Sequence, residues 1–409
     1  MSKFVKLSSI AELTVGFVGT MAKHYEDEGI PFLRSLNIKP FKIISDDMKY
    51  VSAEFSNSLS KSILHKGDVV IVRTGIPGTC CVVPAEYDGC NCSDVVIVHP
   101  NTELVNPHYL AAYINFWGQR QIQNNKVGAI QQHFNVHSAE EMLIFLPDIT
   151  EQEKIAKTIV ALNGKIENNF SVCVELEAMA KTLYDYWFTQ FDFPNAVGKP
   201  YRSSGGEMEW NEQLKREIPK GWDIGNLYAI ADPINGLACQ KHRPKENEKA
   251  LPVVKIKEMH EGITEETELV SVNIPEKHKI FDGDILFSWS ATLEVMYWFG
   301  GNAGLNQHIF KVLPINGFAK EYVYHQFSAY VINFVKMAEA RKTTMGHITT
   351  DHLEQSRIVL PPAKIVQAFS EIVAPIHEKI GQCQKENREL IKLRDWLLPM
   401  LMNGQASVE

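Results

Sequence analysis

The chain carries one long pattern twice. Residues 133–188 and 347–402 align at a fixed offset of 214 with no gap, so that His133 falls on His347 and Ile144, Leu146 and Pro147 fall on Ile358, Leu360 and Pro361. Further along, Lys165-Ile166, Glu175-Leu176 and Leu183 meet Lys379-Ile380, Glu389-Leu390 and Leu397. Upstream the register drifts: Gly67-Asp68 precedes Gly283-Asp284 by 216, and Leu7, Ile10 and Gly16 precede Leu227, Ile230 and Gly236 by 220. Small drifts of this kind are loop insertions. A repeat this long is a duplicated domain, not a solenoid unit, and it suits a target with two similar halves.

With 409 residues, 45% hydrophobic and 22% charged, the chain has room for two or three ordinary cores. The N-terminus lacks a continuous apolar stretch, and no segment approaches the roughly 20 apolar residues that span a bilayer. A cytoplasmic protein with no membrane partner is expected. Seven cysteines are an odd number for a disulfide framework and fit reduced thiols. A net charge of -8 argues against a polyanionic partner when taken alone. Residues 1–148 carry 12 basic against 15 acidic side chains, and residues 196–360 carry 19 against 21. Any nucleic-acid face must therefore be a local patch.

Four segments follow from the pattern. Residues 1–148 hold β-rich runs such as Val69–Val72 and Val95–Val98 between Gly-Asp and Pro-Gly turns, with a helical stretch near Tyr109–Arg120, and read as an α/β domain. Residues 149–195 are helical. Residues 196–360 form a second α/β domain, entered through a linker at 195–220 marked by Gly198, Pro200, Gly205, Gly206 and Pro219. Residues 361–409 are helical again. The expected fold class is mixed α+β: two pseudo-symmetric domains separated by two long helices packed as an antiparallel coiled coil.

The helical segments carry the argument for that packing. Thr150 followed by Glu153 has the form of a capping box. Ile155, Ile159, Leu162, Ile166, Asn169, Cys173, Leu176, Ala180, Leu183 and Trp187 then alternate in steps of four and three, a heptad seam. The second segment repeats it as Phe369, Val373, Ile376, Ile380, Cys383, Asn387, Leu390, Arg394, Leu397 and Leu401. One such helix alone would read as an ordinary core helix; two matched seams favour packing on each other. Pairing Asn169 with Asn387 as a buried polar layer that sets register places Cys173 on Cys383, Ile155 opposite Leu401 and Trp187 opposite Phe369. Pro375 is expected to kink or break the second helix near Glu371.

Catalytic signatures are missing. There is no GxxxxGK[ST] loop, GxGxxG fingerprint, GxSxG elbow or HExxH helix, and no aromatic-ended Pro-Pro tetrapeptide typical of amino-methyltransferases. Cys80, Cys81, Cys90 and Cys92 lack a usual zinc spacing and sit in apolar runs, so a structural role is favoured and no metal is expected. The Gly-Asp pairs read as turns, not acid catalysts. Candidate DNA-contacting residues are Arg34, Arg73, Arg120 and Lys126 in the first domain, and Lys241, Arg243, Lys245, Arg341, Lys342, Thr343 and Thr344 in the second. Arginine pairs with base edges, and lysine and threonine reach phosphates; most such clusters are simply solvated surface.

ITEQEKIAKTIVALNGKIENN followed by LEAMAKTLYDYWFTQFDF resembles the conserved central region of specificity subunits of type I restriction-modification systems. GDILFSWSATLEV, LNQHIFKV, TTMGHITTDHLEQSRIVLPP and LRDWLLPMLMNG are similar to later parts of the same family, in the same order. The resemblance implies a non-catalytic subunit whose two recognition domains each read one half of a split double-stranded DNA sequence. It implies two modification (methyltransferase) subunits and restriction (nuclease-translocase) subunits as partners. S-adenosylmethionine, ATP and Mg would belong to those partners, with no cofactor in this chain. Trp289, Asn306, Gln307, His308 and the run Lys342 to His347 match family motifs and could serve the fold or the DNA. A structural coiled-coil adaptor and a stand-alone DNA-modifying enzyme are the alternative readings.

Overall fold

A computed structural model describes residues 3–118, 121, 134–290, 292–340, 350–403 and 405. The chain divides into two compact units, Met1–Glu167 with Glu389–Glu409, and Asn168–Arg388.

In the first unit the β-branched runs Val69–Val72 and Val95–Pro100 form the middle of a four-stranded antiparallel sheet, flanked by Cys80–Val82 and Ala11–Val15. These runs are apolar without alternation because both faces of the sheet are covered. Val69, Ile71, Val96 and Val98 face a core shared with Tyr109 and Leu110 of helix Pro107–Tyr113. Val70, Val72, Val95 and Ile97 face a second core with Leu33 and Leu64. Ile30–Leu33 pairs in parallel with Asn91–Cys92, and Lys3–Lys6 pairs antiparallel with Leu143–Leu146.

The second unit repeats this plan. Its sheet runs Ala231–Asn235, Ile309–Pro314, Ile285–Ser288, Glu294–Tyr297, again antiparallel. Ala250–Val254 pairs in parallel with Ala303–Leu305, and Asp223–Gly225 pairs antiparallel with Ile358–Leu360. The recurring Gly-Asp pairs are turns: Gly67 and Gly283 lie at φ +94 and +90, and Asp68 and Asp284 accept the backbone N–H groups of His65 (2.7 Å) and Phe281 (2.8 Å). The Gly16/Gly236 pair has a different cause. A Cβ at Gly16 would stand 2.9 Å from the Cys92 carbonyl oxygen, and one at Gly236 2.0 Å from that of Asn306, so both are kept small by the close approach of a neighbouring chain segment.

The long helices are Ile149–Tyr184 and Ala363–Met402. The first starts one residue before the expected capping box, and Asp148, not Thr150, caps it by accepting the Glu151 N–H at 2.9 Å. A carboxylate does this as well as a hydroxyl and also faces the positive end of the helix dipole. Pro375 does not break the second helix, which continues through it. One missing backbone bond is outweighed by packing on both sides, where Val373, Ile376 and Ile380 are buried.

Within the first unit, Ile155 and Ile159 share a core with Leu398 and Leu401, and Arg394 Nη1 donates to Asn163 Oδ1 at 3.1 Å. Within the second, Asn169 Nδ2 donates to Asn387 Oδ1 (2.9 Å) and Glu386 Oε2 (2.8 Å), Cys173 Sγ to Ile380 O (3.8 Å), and the Trp187 and Phe369 ring centroids lie 5.8 Å apart. Ascending numbers on one helix meet descending numbers on the other, so each set of contacts is antiparallel. Ile166 and Ile380 on the seam are buried, and Leu162, Leu176, Leu183, Leu390 and Leu397 partly so.

The expected linker at 195–220 is ordered structure. Met208–Asn211 and Arg216–Pro219 form a hairpin, and Ile218 joins the core of the second unit with Trp222. Its turn-forming residues punctuate a compact segment instead of loosening one. Among the described residues no helix is long and apolar enough to cross a membrane.

Candidate nucleic-acid interface

Each four-stranded sheet ends in a turn that displays polar side chains. In the first unit Val72 leads into Arg73 and Thr74, followed by Gly75 and Gly78 at φ +82 and +92. The Arg73 N–H donates to Asp94 O at 3.4 Å, and its Nε to Phe134 O at 3.2 Å. Arg73 has no carboxylate partner among the described residues. The Asp94 carboxylate instead accepts the hydroxyls of Thr74 and Ser35. Arg34, next to Ser35, is occupied otherwise: its Nη2 donates to Asp47 Oδ2 at 2.9 Å. Hydrogen bonds from Lys49 first and Arg34 second hold the Asp47 carboxyl down at about 2.

In the second unit Trp289 takes the place of Arg73. Its N–H donates to His308 O at 3.3 Å, the counterpart of the Arg73–Asp94 bond. Its indole Nε1 donates to Asn235 Oδ1 at 3.2 Å, and its ring lies 5.5 Å from the His308 ring. Gln307 Nε2 and His308 Nε2 are 3.2 Å apart. Asn306 is buried and accepts the His308 N–H at 3.3 Å, and its carbonyl is the one pressed against Gly236, so it serves the fold. Trp289, Gln307 and His308 are half-buried and reach solvent. One backbone frame thus offers a guanidinium and a carboxylate in the first unit, and an indole and an imidazole in the second.

Lys241, Arg243 and Lys245 lie together. They line a concavity of about 560 Å³ with His242, Asn247 and Asn273, and none of the three is ion-paired among the described residues. Two carboxylates share that wall, Glu246 and Glu248. Glu248 is taken up by the Lys245 backbone N–H (2.8 Å), Ser271 and Asn273 Nδ2 (2.6 Å), bonds that also hold its carboxyl low, and Glu246 forms no ion pair with the three cations among the described residues. Cations left unneutralised on a concave face are free to meet phosphate oxygens. The loop that follows the matching strand in the first unit carries Lys23 with Glu26, Asp27 and Glu28, and its His24 stacks on Phe55 at 4.0 Å. Arg120, Lys126, Arg341, Lys342, Thr343, Thr344 and the rest of the run to His347 lie outside the described residues.

The cysteines do not converge on one point. Cys80 joins the core beneath Tyr109, whereas Cys81 and Cys92 join the core on the opposite face of the sheet. Burial pushes the thiols up, Cys90 to about 11, as expected of inert core thiols. The equivalence of Arg73 and Trp289 is absent from the pattern read in the sequence, although a signal for it exists: the offset of 216 that relates Gly67 to Gly283 also relates these two residues.

The described geometry agrees with comparison to known proteins. The family described as "Type I restriction modification DNA specificity domain" matches residues 2–176 and again 219–391. The chain is 28% identical over 285 residues to the type I restriction enzyme MjaIX specificity subunit of Methanocaldococcus jannaschii, covering 66% of this chain and 62% of that relative. It is 23% identical over 422 residues to the HindI specificity subunit of Haemophilus influenzae, covering 87% and 91%. In fold it is similar to the crystal structure of a type I restriction-modification S subunit from M. genitalium, with a TM-score of 0.58 at 14% identity, covering 98% of this chain and 96% of that one. With two copies of the domain spanning most of its length, the chain belongs to the type I restriction-modification DNA specificity family.

Proposed function

We propose that this chain is the non-catalytic DNA-reading subunit of a type I restriction-modification assembly. Each unit reads one half of a bipartite duplex site, and the long helices dock two modification subunits, with restriction subunits joining the complex. The observation that carries this reading is the sheet end described above: the same strands and the same backbone bond present Arg73 and Asp94 in one unit and Trp289 and His308 in the other. A repeated frame with different side chains is what two different half-sequences require. Lys241, Arg243 and Lys245 would bind phosphates and position the second unit without choosing a sequence. The overall acidic balance leaves the remaining phosphates to the partners, which would also hold S-adenosylmethionine, ATP and Mg.

DNA binding by the reconstituted complex tests this. Replacing Lys241, Arg243 and Lys245 together by glutamine is expected to weaken binding to all sequences alike and to flatten the salt dependence by about 0.9 for each phosphate that is no longer neutralised. Methylated half-sequences should stay as they were. Unchanged affinity and salt slope would remove these residues from the interface. The replacement Arg73→Gln should alter the preferred bases of one half-site only.

A further inference from the structure

A cavity of about 230 Å³ lies in the first unit, lined by Phe41, Val82, Ala111, Ile159, Asn163 and Glu167 among others. The internal repeat shows what belongs at this place. Val82 faces Val69 across its hairpin as Tyr297 faces Ile285, and the offset of 216 relates Val69 to Ile285. Tyr109 donates its hydroxyl to Phe145 O (2.7 Å), as Tyr322 does to Val359 O (3.1 Å). That match sets the helix register, and two residues further on Ala111 corresponds to Tyr324. Asn163 corresponds to His377 at the helix offset of 214.

In the second unit these three positions hold rings that fill the space. The Tyr297 and Tyr324 centroids lie 4.4 Å apart, and the His377 ring lies 4.7 Å from Tyr297 and 5.3 Å from Tyr324. All three are buried. The first unit substitutes valine, alanine and asparagine, and its walls do not close over the vacancy. Phe41 is fixed on a turn at φ +69, with its N–H on Cys80 O (3.1 Å). Lys42 clasps that turn to the helix through Glu167 at 2.9 and 3.0 Å, and the Arg394 guanidinium lies 5.3 Å from the Phe41 ring centroid.

We propose that this cavity is a binding site for one planar, uncharged aromatic ring of phenol or indole size, taking the place that tyrosine and histidine rings occupy in the second unit. Phe41, Val82, Ala111 and Ile159 provide apolar walls, and an apolar cavity of roughly 150 Å³ already accommodates benzene. Asn163 gives the site a polar edge. Its Oδ1 accepts from Arg394, and its Nδ2 has no partner among the described residues, so it can donate to a phenolic oxygen. Burial holds His108 on the same wall below its ordinary value, and Glu167 is taken by Lys42, so neither favours a charged ligand.

The test is titration of the full chain with phenol and with indole, followed by calorimetry and thermal unfolding. One saturable site per chain is expected, with a rise in Tm of a few degrees at saturation. Val82→Phe and Ala111→Leu, which fill the space from two different sides, should each weaken binding at least tenfold. Tyr324→Ala should open the matching space in the second unit and raise the stoichiometry to two. Absence of saturable binding to the natural chain, or binding indifferent to both filling substitutions, would overturn the proposal; failure of Tyr324→Ala to add a site would overturn the correspondence behind it. No DNA enters these measurements, so they succeed or fail independently of the DNA-reading role.

Discussion

The two units share a strand order and differ in what fills it. Where the first leaves an opening beside Val82, Ala111 and Asn163, the second packs Tyr297, Tyr324 and His377. Where the first presents Arg73 and Asp94 at its sheet end, the second presents Trp289 and His308. Even the aspartate of the shared turn finds different counter-groups, His99 for Asp68 and Lys311 for Asp284, each at 2.8 Å. The two units share glycines at close approaches and turns, and inner strands that are mostly apolar and buried. Around them, side chains diverge without moving the strands, which is the freedom a reader of two different half-sites needs.

The largest expected effect tests how far the units differ in packing. Phe369 is fully buried in the second unit against Trp187 and Phe188, and Phe369→Ala should cost about 3–5 kcal/mol. Its counterpart at the offset of 214, Ile155, is buried in a core that also holds Leu398 and Leu401, and the like truncation Ile155→Ala should cost about 2–5 kcal/mol, at or below the loss at Phe369. Hydrogen exchange read separately in each unit checks both, and a larger loss at Ile155 would contradict the contrast.

A smaller effect sharpens the likeness. Gly16→Ala and Gly236→Ala should both destabilise by overpacking, typically about 1–3 kcal/mol, and Gly236→Ala the more, because its Cβ would come closer to a carbonyl oxygen. Denaturant midpoints of the two variants decide the order; a neutral Gly236→Ala would show that the segment moves freely.

A further effect concerns pH, where His99 in the first unit and His377 in the second should respond with opposite sign. The hydrogen bond to Asp68 raises His99 above its ordinary value, so the folded form binds the proton more tightly. That contribution is full below about pH 6.5 and is lost as pH rises through the raised value. Burial lowers His325 to about 3 and His377 to about 4. Their contribution is full above about pH 6.5 and is lost as pH falls toward 4. His108, lowered by burial in the first unit, works against His99, so the His99 part is isolated by comparing the natural chain with His99→Asn. Exchange rates in each unit across pH 4–8 report both slopes, and slopes of the same sign for His99 and His377 would contradict the assignment.

Much of this plan is legible in the sequence because its causes are local or periodic. The heptads mark the helices, the fixed offset marks the duplication, and a single asparagine in each seam singles out Asn169 and Asn387, which hydrogen-bond to each other. The remainder depends on tertiary context. Gly and Pro at 195–220 look like a linker because hairpin turns and linkers use the same residues. Pro375 looks like a break until the buried side chains around it are known. Among the basic residues, composition does not separate Arg34, neutralised by Asp47, from Arg73, which has no such partner among the described residues. That distinction depends on which loop lies beside which strand.

On the proposed function, the long helices set the spacing between half-sites and the sheet ends read their sequence. Deleting one heptad from each helix, residues 170–176 and 380–386, preserves the antiparallel register and removes about 10 Å of helix. Mapping methylated sites in a reconstituted complex should show both half-sequences unchanged and the spacing between them shortened by about three base pairs, at 3.4 Å each. Altered half-sequences with an unchanged spacing would contradict the account.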